Sequence, residues 1–146
     1  MTEDQQIYQE IGKALWSIMP GSKKEMYLSG KIYPDTYELC PEWIEEDLTV
    51  GRFDFDNYPY EVCECIYELA CKLQKLPLFE KESWNHFKVT LTEPGKIKVN
   101  FCYVPQDDSW PGLLMKRVSE LTLEEAKKYY IPEEDWRKCV EKYNQD

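Results

Sequence analysis

The chain has a single histidine among 146 residues, only six glycines, and no apolar run near the ~20 residues that span a bilayer. It contains no Gly-x-Ser-x-Gly elbow, no Gly-rich phosphate loop and no His-Glu-x-x-His helix. The common hydrolase, nucleotide-binding and zinc-protease signatures are therefore missing. The opening residues Met1-Thr2-Glu3-Asp4 lack the basic start and apolar stretch of a secretory signal, so the expectation is a cytoplasmic protein that does not enter a membrane.

Basic charge is also scarce. Twenty-eight acids stand against eighteen lysines and arginines, giving a net charge of −10. Such a field repels nucleic acid and anionic lipid and draws basic proteins toward it, although acidity also serves solubility alone. The 42% hydrophobic and 14% aromatic content is ample for a core, and the length fits one domain spanning 1–146. Six cysteines (Cys40, Cys63, Cys65, Cys71, Cys102 and Cys139) are expected as reduced thiols in an unexported protein.

Hydrophobic spacing predicts the elements. Thr2 and Gln5 fit a capping box, followed by Ile7, Ile11, Ala14, Leu15 and Ile18 at helical spacing until Pro20-Gly21. Met26, Leu28, Gly30 and Ile32 then alternate with Tyr27, Ser29, Lys31 and Tyr33, as a strand does, and Pro34-Asp35 turns the chain into Tyr37 to Cys40. Pro41 has no amide to donate, so that strand is expected to lie at an edge or to stop there, with 42–51 mostly loop. A second helix is expected from about Asp56–Pro59, carrying Val62, Ile66, Leu69 and Leu73 on one stripe and ending before Pro77.

The clearest signal is a hairpin. Phe87, Val89 and Leu91 alternate with His86, Lys88 and Thr90, and Ile97, Val99 and Phe101 alternate with Lys96, Lys98 and Asn100, across a Glu93-Pro94-Gly95 turn. Pairing Leu91 with Ile97 puts both apolar sets on one face and sends the lysines and His86 outward. From about residue 111 a helical extension follows, opened by a second capping box at Thr122–Glu125 and continued after Pro132 by Glu133, Glu134 and Asp135. The fold class expected is α+β: an antiparallel sheet of about four strands packed on helices as a single pair of layers, with a C-terminal helical extension.

Chemistry finds little support in the pattern. His86 reads as a surface histidine with no catalytic role, and no catalytic residue is assigned. Cys63, Cys65, Cys71 and His86 could supply zinc ligands, but positions 63 and 65 on a helix point about 200° apart, so no metal or cofactor is expected. Binding is better represented. The stretch Phe53-Asp54-Phe55-Asp56-Asn57-Tyr58-Pro59-Tyr60, with Glu61 and Glu64 beyond it, interleaves carboxylates with aromatics, and Asp107-Asp108-Ser109-Trp110 repeats the combination. Aromatics anchor protein interfaces and carboxylates meet basic partners. The partner-binding set is accordingly Asp54, Asp56, Tyr58, Tyr60, Glu61, Glu64, Asp107, Asp108 and Trp110. The alternative is that Phe53 and Phe55 belong to the core and the acids merely solvate a loop.

Ile7-Tyr8-Gln9-Glu10-Ile11, the aromatic strand around Met26-Tyr27-Leu28, and the Trp84-led hairpin through Phe101 resemble the YezG-like immunity proteins of bacterial polymorphic toxin systems. The resemblance covers about residues 5 to 105, and the tail from Trp110 has no counterpart in it. It implies an antitoxin that binds and neutralises a cognate toxin, in many such systems a C-terminal nuclease domain with a basic groove. A general acidic adaptor, or a small hydrolase built on carboxylate pairs, are the rival readings. Direct nucleic-acid binding would need Lys88, Lys96 and Lys98 to act as a basic stripe, whereas lysines on a strand surface more often guard an edge.

Overall fold

The structure, a computed structural model, describes residues 1–21, 23–93 and 95–144. The first helix, α1 (Glu3–Ile18), opens with the Thr2 amide donating to Gln5 Oε1 at 3.2 Å and buries Ile7, Ile11 and Leu15. Two nine-residue strands follow, β1 (Glu25–Tyr33) and β2 (Thr36–Ile44), then a short third strand, β3 (Val50–Arg52). After a 3-10 turn at Phe55–Asn57 comes α2 (Tyr60–Gln74), with Pro59 as its N-cap. The hairpin is β4 (His86–Thr92) and β5 (Lys96–Cys102). The chain ends in α3 (Leu123–Lys128) and α4 (Glu133–Tyr143).

These strands form one antiparallel sheet in the order β3-β2-β1-β4-β5. The hairpin register is the one its alternation dictates, with Leu91 opposite Ile97 and Val89 opposite Val99. Gly95 takes a φ of 117° in the turn, a value open to glycine alone at little cost, while Pro94 lies outside the described residues. On β2, Tyr37, Leu39, Pro41 and Trp43 stand opposite Ile32, Gly30, Leu28 and Met26. That apolar face packs on α1 and α2, and its core gathers Ile11, Leu15, Met26, Leu28, Ile66, Leu73, Phe87 and Val89. Each such side chain, fully removed from water, contributes about 1.5–3 kcal/mol before the cost of ordering it.

Two differences from the sequence reading concern β2. The strand, expected to lie at an edge or to stop at Pro41, continues to Ile44, and the short β3 brings a sheet expected at about four strands to five. β3 pairs only with Glu42, Trp43 and Ile44, so among the described residues no strand on that side asks Pro41 for an amide. Part of the 42–51 loop is therefore strand, which short polar stretches with few alternating positions do not reveal.

A larger correction concerns the other face of the sheet, where His86 was expected at the surface. It is completely buried, and Lys31 and Ser29 are buried with it. The C-terminal extension folds back over that end of the sheet and brings its own small core of Leu113, Val118, Leu121, Ala126 and Ile131, flanked by Trp110 and Trp136. α3 starts with a complete capping box, Thr122 N to Glu125 Oε1 at 3.0 Å and Glu125 N to Thr122 Oγ1 at 3.2 Å.

Polar bonds join the extension to the sheet. The Lys31 ammonium donates to the Trp110 carbonyl at 2.6 Å and to Ser109 Oγ at 3.1 Å, and lies 3.3 Å from Glu38 Oε2. Three protons meet three oxygens, which is the condition for burying a lysine without large penalty. Glu38 in turn accepts from the Gly112 amide at 2.9 Å.

Candidate functional site

The two acidic-aromatic segments have different fates. In the second, Asp108 is fully buried and accepts from the amide of Ser119 at 2.9 Å and from its hydroxyl at 2.6 Å. It anchors the extension and is closed to any partner, which corrects its place in the binding set. Asp107 is exposed but pairs with Lys142 at 2.6 Å and accepts from the Tyr143 hydroxyl, and these bonds hold its carboxyl below the usual range. Trp110 is half-buried against the core of the extension. Asp108 is thus a joint within the chain, while Asp107 and Trp110 line an open cavity at the surface of the extension.

The first segment keeps its promise of exposure. The chain leaves β3 at Arg52, and Phe53 turns inward to meet the Trp43 ring edge-on at 4.9 Å. Phe55, two residues on, is 85% exposed on the 3-10 turn. One of the two phenylalanines is therefore packed on the core and the other is presented to solvent. Asp54 and Asp56 flank Phe55 and are exposed. Gly51 holds this exit in place: a β-carbon there would collide with the Trp43 indole nitrogen and the Glu45 carboxylate, which are themselves hydrogen-bonded at 2.7 Å.

Beyond the turn, the Tyr58 hydroxyl donates to the Leu39 carbonyl of β2 at 3.1 Å. Its ring leans on that of Tyr60, with centroids 4.7 Å apart. Burial, and then the neighbouring Cys63 thiol, push the Tyr58 phenol well above its ordinary pKa, so it stays a neutral donor. Tyr60, Cys63, Glu64 and Tyr67 follow at helical spacing along the side of α2 that faces β2. At the far end Tyr67 stacks on Tyr37 of β2 at 3.8 Å. Between strand and helix lies an open groove of about 430 Å³, lined by Tyr37, Glu38, Leu39, Phe55, Tyr58, Tyr60, Cys63 and Glu64.

The groove is aromatic inside and acidic around. From Phe53 to Cys71 the chain carries Asp54, Asp56, Glu61, Glu64 and Glu68 and no lysine or arginine. The nearest bases along the chain are Arg52, bonded to Glu42 at 3.1 Å, and Lys72 in the last turn of α2. Among the described residues none of the five carboxylates has an ion-pair partner. Of the residues expected to bind a partner, Tyr58, Tyr60 and Glu64 line this groove, and Asp54, Asp56 and Glu61 adjoin lining residues along the chain. Tyr37 and Leu39 also line it, and the only sign of them in the sequence is a strand joined to β1 by a two-residue turn.

His86 is not part of the groove. The Met115 amide donates to its Nδ1 at 2.9 Å, and Nε2 lies 3.0 Å from the Tyr33 hydroxyl, which itself donates to the Val104 carbonyl at 2.8 Å. These partners assign a neutral ring with the proton on Nε2. Burial first, and the Lys31 charge second, lower its pKa to about 4. The six cysteines are free thiols, and among the described residues no group of three or more His, Cys, Asp or Glu is placed to hold a metal ion. Cys63 is buried under the groove while Cys65 faces solvent, as their helical spacing requires. No described helix is long and apolar enough to cross a membrane. Compared with known proteins, the chain matches no protein-family model and no curated protein.

Proposed function

We propose that this chain is an immunity protein that binds a cognate, basic nuclease toxin domain in the cytoplasm and neutralises it, protecting the cell that makes both. The observation that carries the reading is the groove between β2 and α2, where exposed aromatics stand beside Glu64 and its neighbours Asp54, Asp56 and Glu61, none of which has an ion-pair partner among the described residues, while Glu38 of the same lining is paired with Lys31. Aromatic anchors ringed by charge complementary to the partner are what a tight inhibitor needs, and a net charge of −10 speeds its encounter with a basic surface. The resemblance of the opening helix and the Trp84-led hairpin to YezG-like immunity proteins supports the same role. The contact is placed at Asp54, Asp56, Tyr58, Tyr60, Glu61 and Glu64; Asp107, exposed but paired with Lys142, and Trp110 stand apart from this groove. The test is to identify the gene adjacent to this one and, where it encodes an exported protein with a C-terminal toxin domain, to co-express that domain with the chain. Growth should be restored and the purified pair should show stoichiometric loss of nuclease activity. Cells that die equally with and without the chain would refute the reading.

A further inference from the structure

The groove has a composition that selects among basic side chains, and this inference rests on the antitoxin reading only for the identity of the protein that supplies one. Tyr60 and Glu64 sit four residues apart on α2, so ring and carboxylate share one face. Tyr58 buttresses the Tyr60 ring from the side, and Phe55 stands unsupported at the mouth. An apolar anchor entering here would strip water from Glu64 and leave a carboxylate unpaired. A lysine would meet the carboxylate as a point charge but bring no flat surface to the rings. A guanidinium does both: its face stacks on an aromatic ring while its N–H fork pairs with a carboxylate.

The start of α2 opposes a cation through the positive end of its dipole. Glu61 in its first turn and Glu64 in the next reverse that sign; along the chain no lysine or arginine lies between Arg52 and Lys72, and Lys31, on the far side of the lining, is taken up by Glu38, Ser109 and the Trp110 carbonyl. We propose that the groove between β2 and the first turns of α2 receives an arginine side chain of a basic protein partner, stacked on Tyr60 and paired with Glu64.

The isotope-labelled full chain is titrated, at low salt, with an acetylated and amidated tetra-arginine peptide and, in parallel, with its tetra-lysine counterpart, while backbone amide shifts are followed. The arginine peptide should give saturable shifts concentrated at Tyr37–Leu39 and Phe55–Glu64. The lysine peptide should bind there at least about fivefold more weakly. Glu64→Gln should weaken the arginine peptide by about tenfold, and Phe55→Ala by several-fold, each with an otherwise superposable spectrum. Shifts spread over the whole acidic surface, equal affinity for both peptides, or full binding by Glu64→Gln would each overturn the proposal. A free chain that sediments as a dimer, and as a monomer once Phe55 is alanine, would assign the groove to a second copy and overturn it as well. If the peptide misses the groove while the chain still silences the toxin, the arginine site falls and the antitoxin role stands. If it binds as expected while the nuclease stays active, the reverse holds.

Discussion

Met115 donates its backbone amide to Nδ1 of His86 at 2.9 Å, and it does so from a left-handed conformation with φ of 63°. That backbone costs a side-chain-bearing residue roughly 1–2 kcal/mol, which the fold offsets by satisfying a fully buried ring. The bond ties the extension to the end of the sheet where β4 begins and makes the joint sensitive to the proton count on one imidazole. Protonating Nδ1 would set a ring N–H against an amide N–H.

The joint therefore predicts acid weakening in a definite window. The unfolded chain binds a proton on His86 near the ordinary value of 6.5, while the folded chain resists until about 4. Between those values the unfolded state holds more protons, so stability is full above 6.5 and declines as pH falls toward 4. From pH 7 to 5 the loss should be about 2 kcal/mol, since a tenfold difference in proton affinity between the two states is worth about 1.4 kcal/mol. Urea unfolding across that window should show the slope in the native chain and not in His86→Gln. Parallel slopes would show that His86 does not set this dependence.

Asp108 should behave as a structural acid. Asp108→Ala strands the amide and hydroxyl of Ser119 in a buried place, at a cost of about 2–4 kcal/mol for the two groups. Asp108→Asn keeps one carbonyl oxygen for the amide and should lose less. Urea unfolding measures both, and an alanine variant as stable as the native chain would contradict the placement.

Gly51→Ala drives a β-carbon into the Trp43 indole and Glu45, so either the tryptophan must leave its packing on Phe53 or β3 must separate from β2. The expected destabilisation is about 1–3 kcal/mol, the usual penalty for overfilling a packed site. Near-ultraviolet circular dichroism should also lose the Trp43 contribution. A spectrum and midpoint unchanged from the native chain would mean that β3 is free to move.

At the groove, the informative variants are those that leave the fold alone. Tyr60, 59% exposed, and Phe55 can be cut to alanine with little effect on melting, while Tyr58→Ala also removes a bond to β2. On the antitoxin reading, if Tyr60 or Phe55 is an anchor, its removal should weaken binding of the proposed toxin domain by about 2 kcal/mol or more. Asp54→Lys with Asp56→Lys places like charges against a basic partner and should cost several kcal/mol, about two or more orders of magnitude in Kd. Calorimetric titration against the toxin domain gives the numbers, beside a melting curve for each variant. A folded double-lysine variant that binds as tightly as the native chain would remove these carboxylates from the interface.

Salt adds an independent check on the same surface. Carboxylates that lie in the open are screened over ~8 Å at physiological ionic strength. On the antitoxin reading, the association rate with the proposed toxin domain should fall steeply as salt rises, while dissociation changes less. Stopped-flow rates indifferent to salt would leave the net charge of −10 as a matter of solubility.

Local physics made much of this protein legible from its residues. The period of two in Phe87–Leu91 and Ile97–Phe101, with a glycine that must turn between them, leaves one register that hides every apolar side chain, and Leu91 faces Ile97 accordingly. Capping at Thr122 and the stripe Ile66, Leu69 and Leu73 depend on neighbours within one or two turns, so they too are sequence properties. What a second, distant segment decides is a different matter. His86 and Lys31 alternate outward on their strands as surface residues do, and only the return of residues 105–144 across that face buries them. Asp54 and Asp108 sit in similar acidic-aromatic surroundings, yet one faces water and the other faces Ser119, because no described residue folds over the first. Phe53 and Phe55 share a residue type and a loop, and the 3-10 turn sends one inward and the other out. A periodic pattern records which face of an element is apolar; whether anything covers the other face depends on chain far away in sequence, and here that coverage separated the groove from the joint.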